Sequence, residues 1–489
     1  MPGDTIQADV VVVGAGPVGL MLAGELIRGG VGVVLVEKRR GPHTGSRAST
    51  LHARTMELLH GRGLVPDLGD PPREPRGHFG GIPLDLTLPS SHPGQWKVPQ
   101  TKTEAVLEEW VLAQGAELRC KHELTALEDT GDGVEGTALG HDGVRRRLRA
   151  RYLVACDGED STVRRLIGAD FPGQPAGREL LRADVAGLDI PDRRFERLEG
   201  GLAIAARRGD GVTRVMVHEF GSRAGDHGTA ARFEDLVTAW KKVTGEDISH
   251  GTPLWVNSFT DASRQLTHYR HGRILFAGDA AHQQMPIGGQ ALNLGLQDAV
   301  NLGWKLALHL RGRADATLLD TYHTERHAVG RQVLANIRAQ ALLLLGPPSV
   351  EPLRRLLGEL IALEDVRARL AGTISGLGLR YDLPGPAHPL LGARLPATPL
   401  RIGQRRVDSA HLLRTGGGVL LDLRADLPPL PLADGWTGTV GRVAAVPEQP
   451  EAWHGADRVL LRPDGHIAWA GTGEDRLGQA LRRWFGPPR

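Results

Sequence analysis

A chain of 489 residues, 40% of them hydrophobic, is long enough to bury several cores, so two or three domains are expected. Its 59 basic residues are balanced by 57 acidic ones for a net formal charge of +2, which leaves no electrostatic footprint for nucleic acid or an anionic membrane. Two cysteines, Cys120 and Cys156, are too few for a disulfide framework or a zinc site, so no metal ligands are assigned.

In chain order, residues 9–37 read as one βαβ unit: a strand Asp9–Val13, a glycine-rich turn, a helix from Pro17 to about Arg28, and a strand Val33–Val36. Both strands are continuous apolar runs, as in a parallel sheet buried on both faces. The run Val10–Val13 is far short of the roughly 20 residues that span a bilayer. With no basic segment ahead of it, no targeting signal is expected and a cytoplasmic location is. The Arg145–Arg147 run reads as a solvated strand edge or turn. Apolar strands Tyr152–Cys156 and Arg273–Ala277 end at Asp157-Gly158 and Gly278-Asp279. Ligands gather at the carboxyl ends of strands in such sheets, so one site should collect all three strand ends.

Between about 176 and 264 the chain changes to short alternating segments such as Val212–Val217, predicting a mainly antiparallel sheet inserted into the first domain, where substrate contacts belong. From about 347 it turns helical, then passes through a Pro- and Gly-rich stretch, 384–404, read as linker. Strands near Val419–Leu423, Arg442–Val446, Val459–Leu461 and Ile467–Ala470, with a closing helix, predict a small separate domain. The expected organisation is α/β: a discontinuous Rossmann-like domain over 1–175 and 265–346, the inserted sheet domain over 176–264, a helical segment and linker over 347–404, and a terminal domain over 405–489.

Gly14-Ala15-Gly16-Pro17-Val18-Gly19 is a GxGxxG turn between a strand and a helix. Gly14 permits the tight turn, Gly16 lets a pyrophosphate approach the backbone, and Gly19 lets helix and strand pack closely. The helix N-terminus then offers N–H groups to the phosphates. Glu37 follows Gly19 by 18 residues, at the end of the second strand, where a carboxylate holds adenosine ribose hydroxyls. Dinucleotide binding is the expectation.

The segments Cys156-Asp157-Gly158 through Arg165, and Gly278-Asp279-Ala280-Ala281-His282 followed by Pro286-Ile287-Gly288-Gly289-Gln290-Ala291-Leu292-Asn293, resemble the DG and GD motifs of single-component flavoprotein monooxygenases of the p-hydroxybenzoate hydroxylase type. Within that superfamily the chain resembles the aromatic polyketide hydroxylases, angucycline hydroxylases included, and more distantly rifampicin monooxygenase. The likeness extends to Gly77-His78-Phe79-Gly80-Gly81, Asn301–Leu306, Tyr322–His327 and Leu461–His466. It implies non-covalent FAD held by Gly14, Gly16, Val18, Gly19, Glu37, Lys38, Arg47, Gln100, Leu124, Asp157, Thr162, Asp279, Gly289, Leu292 and Asn293. Ala48-Ser49-Thr50 after Arg47 departs from relatives, which place a glycine or second arginine there, and that speaks against rifampicin specificity. NADPH or NADH would be the electron donor, with Arg164 or Arg165 meeting its phosphates.

The resemblance further implies hydroxylation of a phenolic polycyclic aromatic polyketide by a flavin C4a-hydroperoxide formed with molecular oxygen. Phe79, Arg214, Pro286, Ile287 and Gly288 are candidate substrate contacts, and His78, His218 and His282 are candidates for a phenol proton transfer, since histidine titrates near neutrality. The terminal domain resembles the thioredoxin-like appendage of polyketide hydroxylases. It lacks cysteine, which excludes thiol exchange there and leaves a structural or homodimerisation role. A Baeyer–Villiger oxygenase, an antibiotic-inactivating monooxygenase and a non-catalytic flavin or nicotinamide sensor remain open as alternatives.

Overall fold

The computed structural model describes residues 5–41, 48–208, 210–225, 231–428 and 430–489. Its central sheet is built on the strand Thr5–Val13, whose four terminal valines are buried between two parallel neighbours, Val33–Glu37 and Arg145–Ala155. Ile274–Phe276 extends the sheet beyond Arg145–Ala155, and Glu117–Cys120 extends it beyond Val33–Glu37, all in parallel. Two strands start earlier than the apolar runs suggest. Thr5–Ala8 pairs with Arg147–Ala150, and both stretches alternate solvent-facing polar residues with buried ones, so they carry no continuous hydrophobic signal. The Arg145–Arg147 run is therefore strand.

The helices Pro17–Arg28 and Gln290–Leu310 cover this sheet and pack closely on each other: a Cβ on Gly303 would lie 2.4 Å from Cβ of Glu25. Glu25 is buried there and accepts two hydrogen bonds of 2.8 Å from Arg62.

The insertion is a five-stranded antiparallel sheet, comprising Glu179–Ala186, Arg193–Leu198, Gly201–Arg207, Val212–Glu219 and Thr252–Thr260. The two-residue period of its strands gives it two faces. Ala183, Val185, Ala203, Ala205, Val215 and Val217 pack under the helix Phe233–Thr244 through Leu236, Trp240 and Val243. On the opposite face Leu180, Leu202 and Met216 meet Met285 and Ile287 from the first domain.

The terminal unit pairs Gly418–Asp422 with Val440–Ala444 in parallel, adds Arg458–Leu461 and Ile467–Gly471 antiparallel, and closes with the helix Leu477–Phe485, a thioredoxin-like arrangement. Within the expected linker, Pro399–Ile402 is a strand paired with both Arg405–Asp408 and Val446–Pro447. The unit has one core of its own, around Trp453, Val459 and Leu461, and shares a second. Trp436, Trp469, Leu481, Trp484 and Phe485 share one hydrophobic cluster with Leu294, Trp304, Leu318 and Val329 of the long helices. Each such side chain stabilises the fold by about 1.5–3 kcal/mol when fully buried. A chain ended at residue 404 is accordingly expected to aggregate or to lack a cooperative unfolding transition in calorimetry. Soluble truncated protein with a sharp transition would show that the shared core is dispensable.

Candidate cofactor and active site

The strand ends converge as the parallel sheet requires. The Gly14 amide donates to Val36 O at 2.8 Å, the Cys156 amide to Val13 O at 2.8 Å, and the Ala277 amide to Ala155 O at 3.0 Å. Gly14 has φ +99°, and a Cβ on it would lie 2.4 Å from Cys156 O; one on Gly19 would lie 2.0 Å from Gly14 O. Both positions are closed to side chains. Gly16 differs: it caps the Pro17–Arg28 helix with no side-chain bond to the first N–H groups, and nothing lies within 4 Å of where its Cβ would be. An uncapped helix N-terminus facing open space is a cradle suited to a pyrophosphate. Val18 packs against Gly278, whose Cβ would lie 3.0 Å from it, so the first glycine turn and the GD turn are in contact.

Glu37 closes the second strand. One carboxylate oxygen accepts from the Ala15 amide and the other from the Arg39 amide, each at 2.8 Å. Burial opposes its ionisation, but the Arg39 side chain and these two amides outweigh that and hold its carboxyl below the ordinary value. Glu37→Ala is expected to weaken FAD binding at least tenfold, about 1.4 kcal/mol, measured by titrating FAD into apoprotein; unchanged affinity would remove Glu37 from the site.

Lys38 is exposed. Arg47 lies outside the described residues. Gln100 sits where the chain re-enters at Ala48, accepting from its amide at 3.3 Å and donating to Glu104 at 2.8 Å. The Leu124 side chain is buried in the main core. Asp157 accepts from the Val163 amide at 3.1 Å, which tethers the DG segment to the short helix Thr162–Leu166; burial pushes its carboxyl up. Thr162 accepts from Arg165 at 3.0 Å, while Arg164 donates to Ala280 O at 3.1 Å and so links the DG and GD segments.

At the GD turn Asp279 is exposed, and the Gly278 amide donates to Asp298 at 3.1 Å. His282 does not face the open side. It is fully buried and its Nε2 is 2.8 Å from Asp298, whose other oxygen accepts from Arg326 Nε at 2.7 Å. Past exposed Pro286 and buried Ile287, Gly288 and Gly289 both have φ +67°, and the helix Gln290–Leu310 begins without a side-chain cap. Asn293 braces this loop, accepting from the His52 amide at 2.8 Å and donating to Gly289 O at 2.7 Å and Thr50 O at 3.0 Å; Leu292 beside it is half-buried.

Two of the other candidates are committed to the fold. Phe79 packs in a core with Ile82, Leu84 and Leu343, and Arg214 makes two hydrogen bonds to Asp184, at 2.7 and 2.8 Å. His78 Nδ1 accepts from the Gly81 amide at 3.1 Å, and burial together with the Arg194 charge pulls its pKa to about 4. His218 bonds Glu179 O at 2.8 Å, and burial lowers its pKa.

The sequence reading missed His52. It is buried, its Nε2–H donates to Gly288 O at 2.8 Å, and its Nδ1 lone pair has no protein partner. Burial pulls its pKa to about 4, so the ring is neutral near pH 7. No motif marks it, because its partners are Gly288 and Asn293, over 200 residues away.

A family described as FAD binding domain matches residues 7–337, and one described as aromatic-ring hydroxylase, C-terminal, matches residues 388–488. The chain is 41% identical to the 12-dehydrotetracycline 5-monooxygenase/anhydrotetracycline 6-monooxygenase of Streptomyces rimosus, covering 99% of this chain and 100% of the relative. It is 40% identical to the rifampicin monooxygenase of Streptomyces venezuelae, covering 98% of each. Among solved structures, CabE, an aromatic hydroxylase from angucycline biosynthesis, superposes with a TM-score of 0.94 at 46% identity, covering 99% of this chain and 100% of that one.

Proposed function

The chain belongs to the FAD-dependent aromatic-ring hydroxylase family, and from that premise we propose that it hydroxylates a phenolic polycyclic aromatic polyketide, with NADPH or NADH as electron donor and molecular oxygen as co-substrate. The observation that carries the substrate reading is its near full-length similarity to an anhydrotetracycline monooxygenase and an angucycline hydroxylase. The inserted sheet supports it: on the face turned toward Met285 and Ile287, Leu180 and Leu202 are packed in the core while Ile204, Met216 and Phe259 stay half-buried, just ahead of the Gly288-Gly289 loop. Fused rings gain about 25 cal/mol per Å² of apolar area removed from water, so such a wall can dominate affinity with few polar anchors.

The residues present fit FAD. The uncapped helix start behind Gly16 would take the pyrophosphate, Glu37 the ribose, and the exposed Asp279 the ribityl chain, while the Gly288-Gly289 backbone can approach a flat ring. When bound, FAD supplies the hydride acceptance and oxygen activation that no side chain can. The Gln290–Leu310 helix turns its positive end toward the loop and would favour negative charge there. His52 holds Gly288 from behind and, neutral above about pH 4, offers Nδ1 as a hydrogen-bond acceptor. Half-buried Met216 and Phe259 would help to keep water from a bound ring.

Incubation with an angucycline-type phenol, NADPH and labelled dioxygen is expected to give a product bearing one labelled ring hydroxyl, with NADPH oxidation rising on substrate addition. A labelled lactone would identify Baeyer–Villiger chemistry, and turnover confined to single-ring phenols would overturn the polycyclic assignment.

A further inference from the structure

The Leu461–His466 segment of the terminal domain inserts the charged side chains of Arg462 and Asp464 into the long-helix pair, where both are buried. Arg462 is fully buried and donates to both oxygens of Glu325, at 2.7 and 2.8 Å, and also pairs with Asp464. Its guanidinium lies 4.4 Å from the Trp484 ring centre, 5.2 Å from Tyr381 and 5.4 Å from Trp304. Glu325 also accepts from Lys305 at 2.9 Å and from Asn301 at 2.7 Å. Asn301 reaches Tyr381 Oη at 3.2 Å, and Tyr381 Oη accepts from Arg326 at 3.1 Å. Arg326 binds Asp298 at 2.7 Å, and Asp298 receives the Gly278 amide at 3.1 Å and His282 at 2.8 Å.

Three cations, Lys305, Arg326 and Arg462, thus balance three carboxylates, Asp298, Glu325 and Asp464, in a continuous path from the terminal domain to the GD turn. Buried ions tolerate no unmatched member, because an uncompensated charge must be neutralised or drawn to a new partner. Losing Arg462 would leave Glu325 and Asp464 facing each other with only Lys305 to share, and Asn301, Tyr381 and Arg326 are the groups able to move in response. Their movement reaches Asp298 and hence the backbone beside Asp279.

We propose that the terminal domain positions the GD turn of the FAD site through this buried relay, with Arg462 as the positioning residue that joins the two. The proposal rests on FAD binding at that turn and is independent of which aromatic substrate is used.

Full-length Arg462→Met apoprotein titrated with FAD is expected to show a dissociation constant raised at least tenfold and a smaller gain in Tm on FAD addition. Adding Glu325→Gln, which removes the stranded charge and leaves two cations against two carboxylates, should recover at least threefold of that loss. Trp453→Leu serves as the control: Trp453 is buried in a terminal-domain core that the relay does not enter, so the variant should lower Tm while keeping FAD affinity within twofold of wild type. An Arg462→Met protein that binds FAD within twofold of wild type, or a Trp453→Leu protein that loses as much affinity, would overturn the proposal and leave Arg462 a domain anchor. If Arg462→Met does not fold, Tyr381→Phe removes a single hydroxyl from the middle of the path; a threefold or greater weakening is expected, and unchanged affinity overturns the proposal. Failure of the wild-type chain to bind FAD would instead refute the cofactor site itself.

Discussion

Gly14→Val is expected to purify as a colourless protein. The left-handed backbone at φ +99° is strained for any side chain and most of all for a β-branched one. The added Cβ would also lie 2.4 Å from the carbonyl oxygen of Cys156, a backbone atom just past the end of the neighbouring strand, and the Cys156 amide is bonded to Val13 O at 2.8 Å. Neither atom can rotate away, so the turn must open at the point where the pyrophosphate should approach. A loss of FAD affinity of at least 100-fold is expected, equivalent to about 2.7 kcal/mol. Absorbance near the flavin visible band and FAD titration measure it, with circular dichroism to establish that the protein is folded. Gly16→Ala separates cofactor approach from fold. The fold leaves that Cβ open space, so Tm should be unchanged while FAD affinity drops about tenfold, or 1.4 kcal/mol. Folded Gly14→Val carrying stoichiometric FAD would show that this turn is not the cofactor's.

Asp298→Ala should be among the most destabilising single changes in the chain. It strands the fully buried Arg326 charge, the His282 Nε2–H and the Gly278 amide together. Breaking a buried pair by removing one partner costs about 3–5 kcal/mol, a large part of the 5–15 kcal/mol by which domains are usually stable. The expected result is insoluble protein or a Tm depressed by several degrees, read by differential scanning calorimetry. The pH dependence follows from the same burial. Burial raises the Asp298 carboxyl, yet Arg326 and His282 outweigh that and hold it below 3.8, so its contribution is complete above that value and is lost as pH falls through the depressed one. The histidines act earlier. Burial takes His52 and His78 from 6.5 to about 4 and His466 to about 3, so between about pH 6.5 and 4 the unfolded chain binds protons that the folded chain refuses. Stability should therefore fall as pH drops across that window. A Tm that stays level from pH 7 to 4.5 would contradict the neutral, buried placement of these rings.

The turn at Gly14–Gly19, Glu37 and the DG and GD strand ends were legible in the sequence because each is a local pattern with its own physical signature: an apolar strand, a glycine that frees the backbone, a helix start. The alternation along Val212–Val217 likewise disclosed a sheet with two faces, and the absence of cysteine after Cys156 leaves the terminal domain without a thiol for exchange. Only the tertiary structure showed that His52 grips Gly288, that Arg214 is taken by Asp184, that His282 turns inward to Asp298, and that the terminal domain shares a core and its buried charges with the long helices. The partners in these contacts lie between 16 and 236 residues apart. A histidine or arginine has the same local sequence signature whether it faces solvent or a buried carboxylate. Which one it meets is fixed by the packing of distant segments, and that packing also decides whether the residue is free for chemistry or held by the fold.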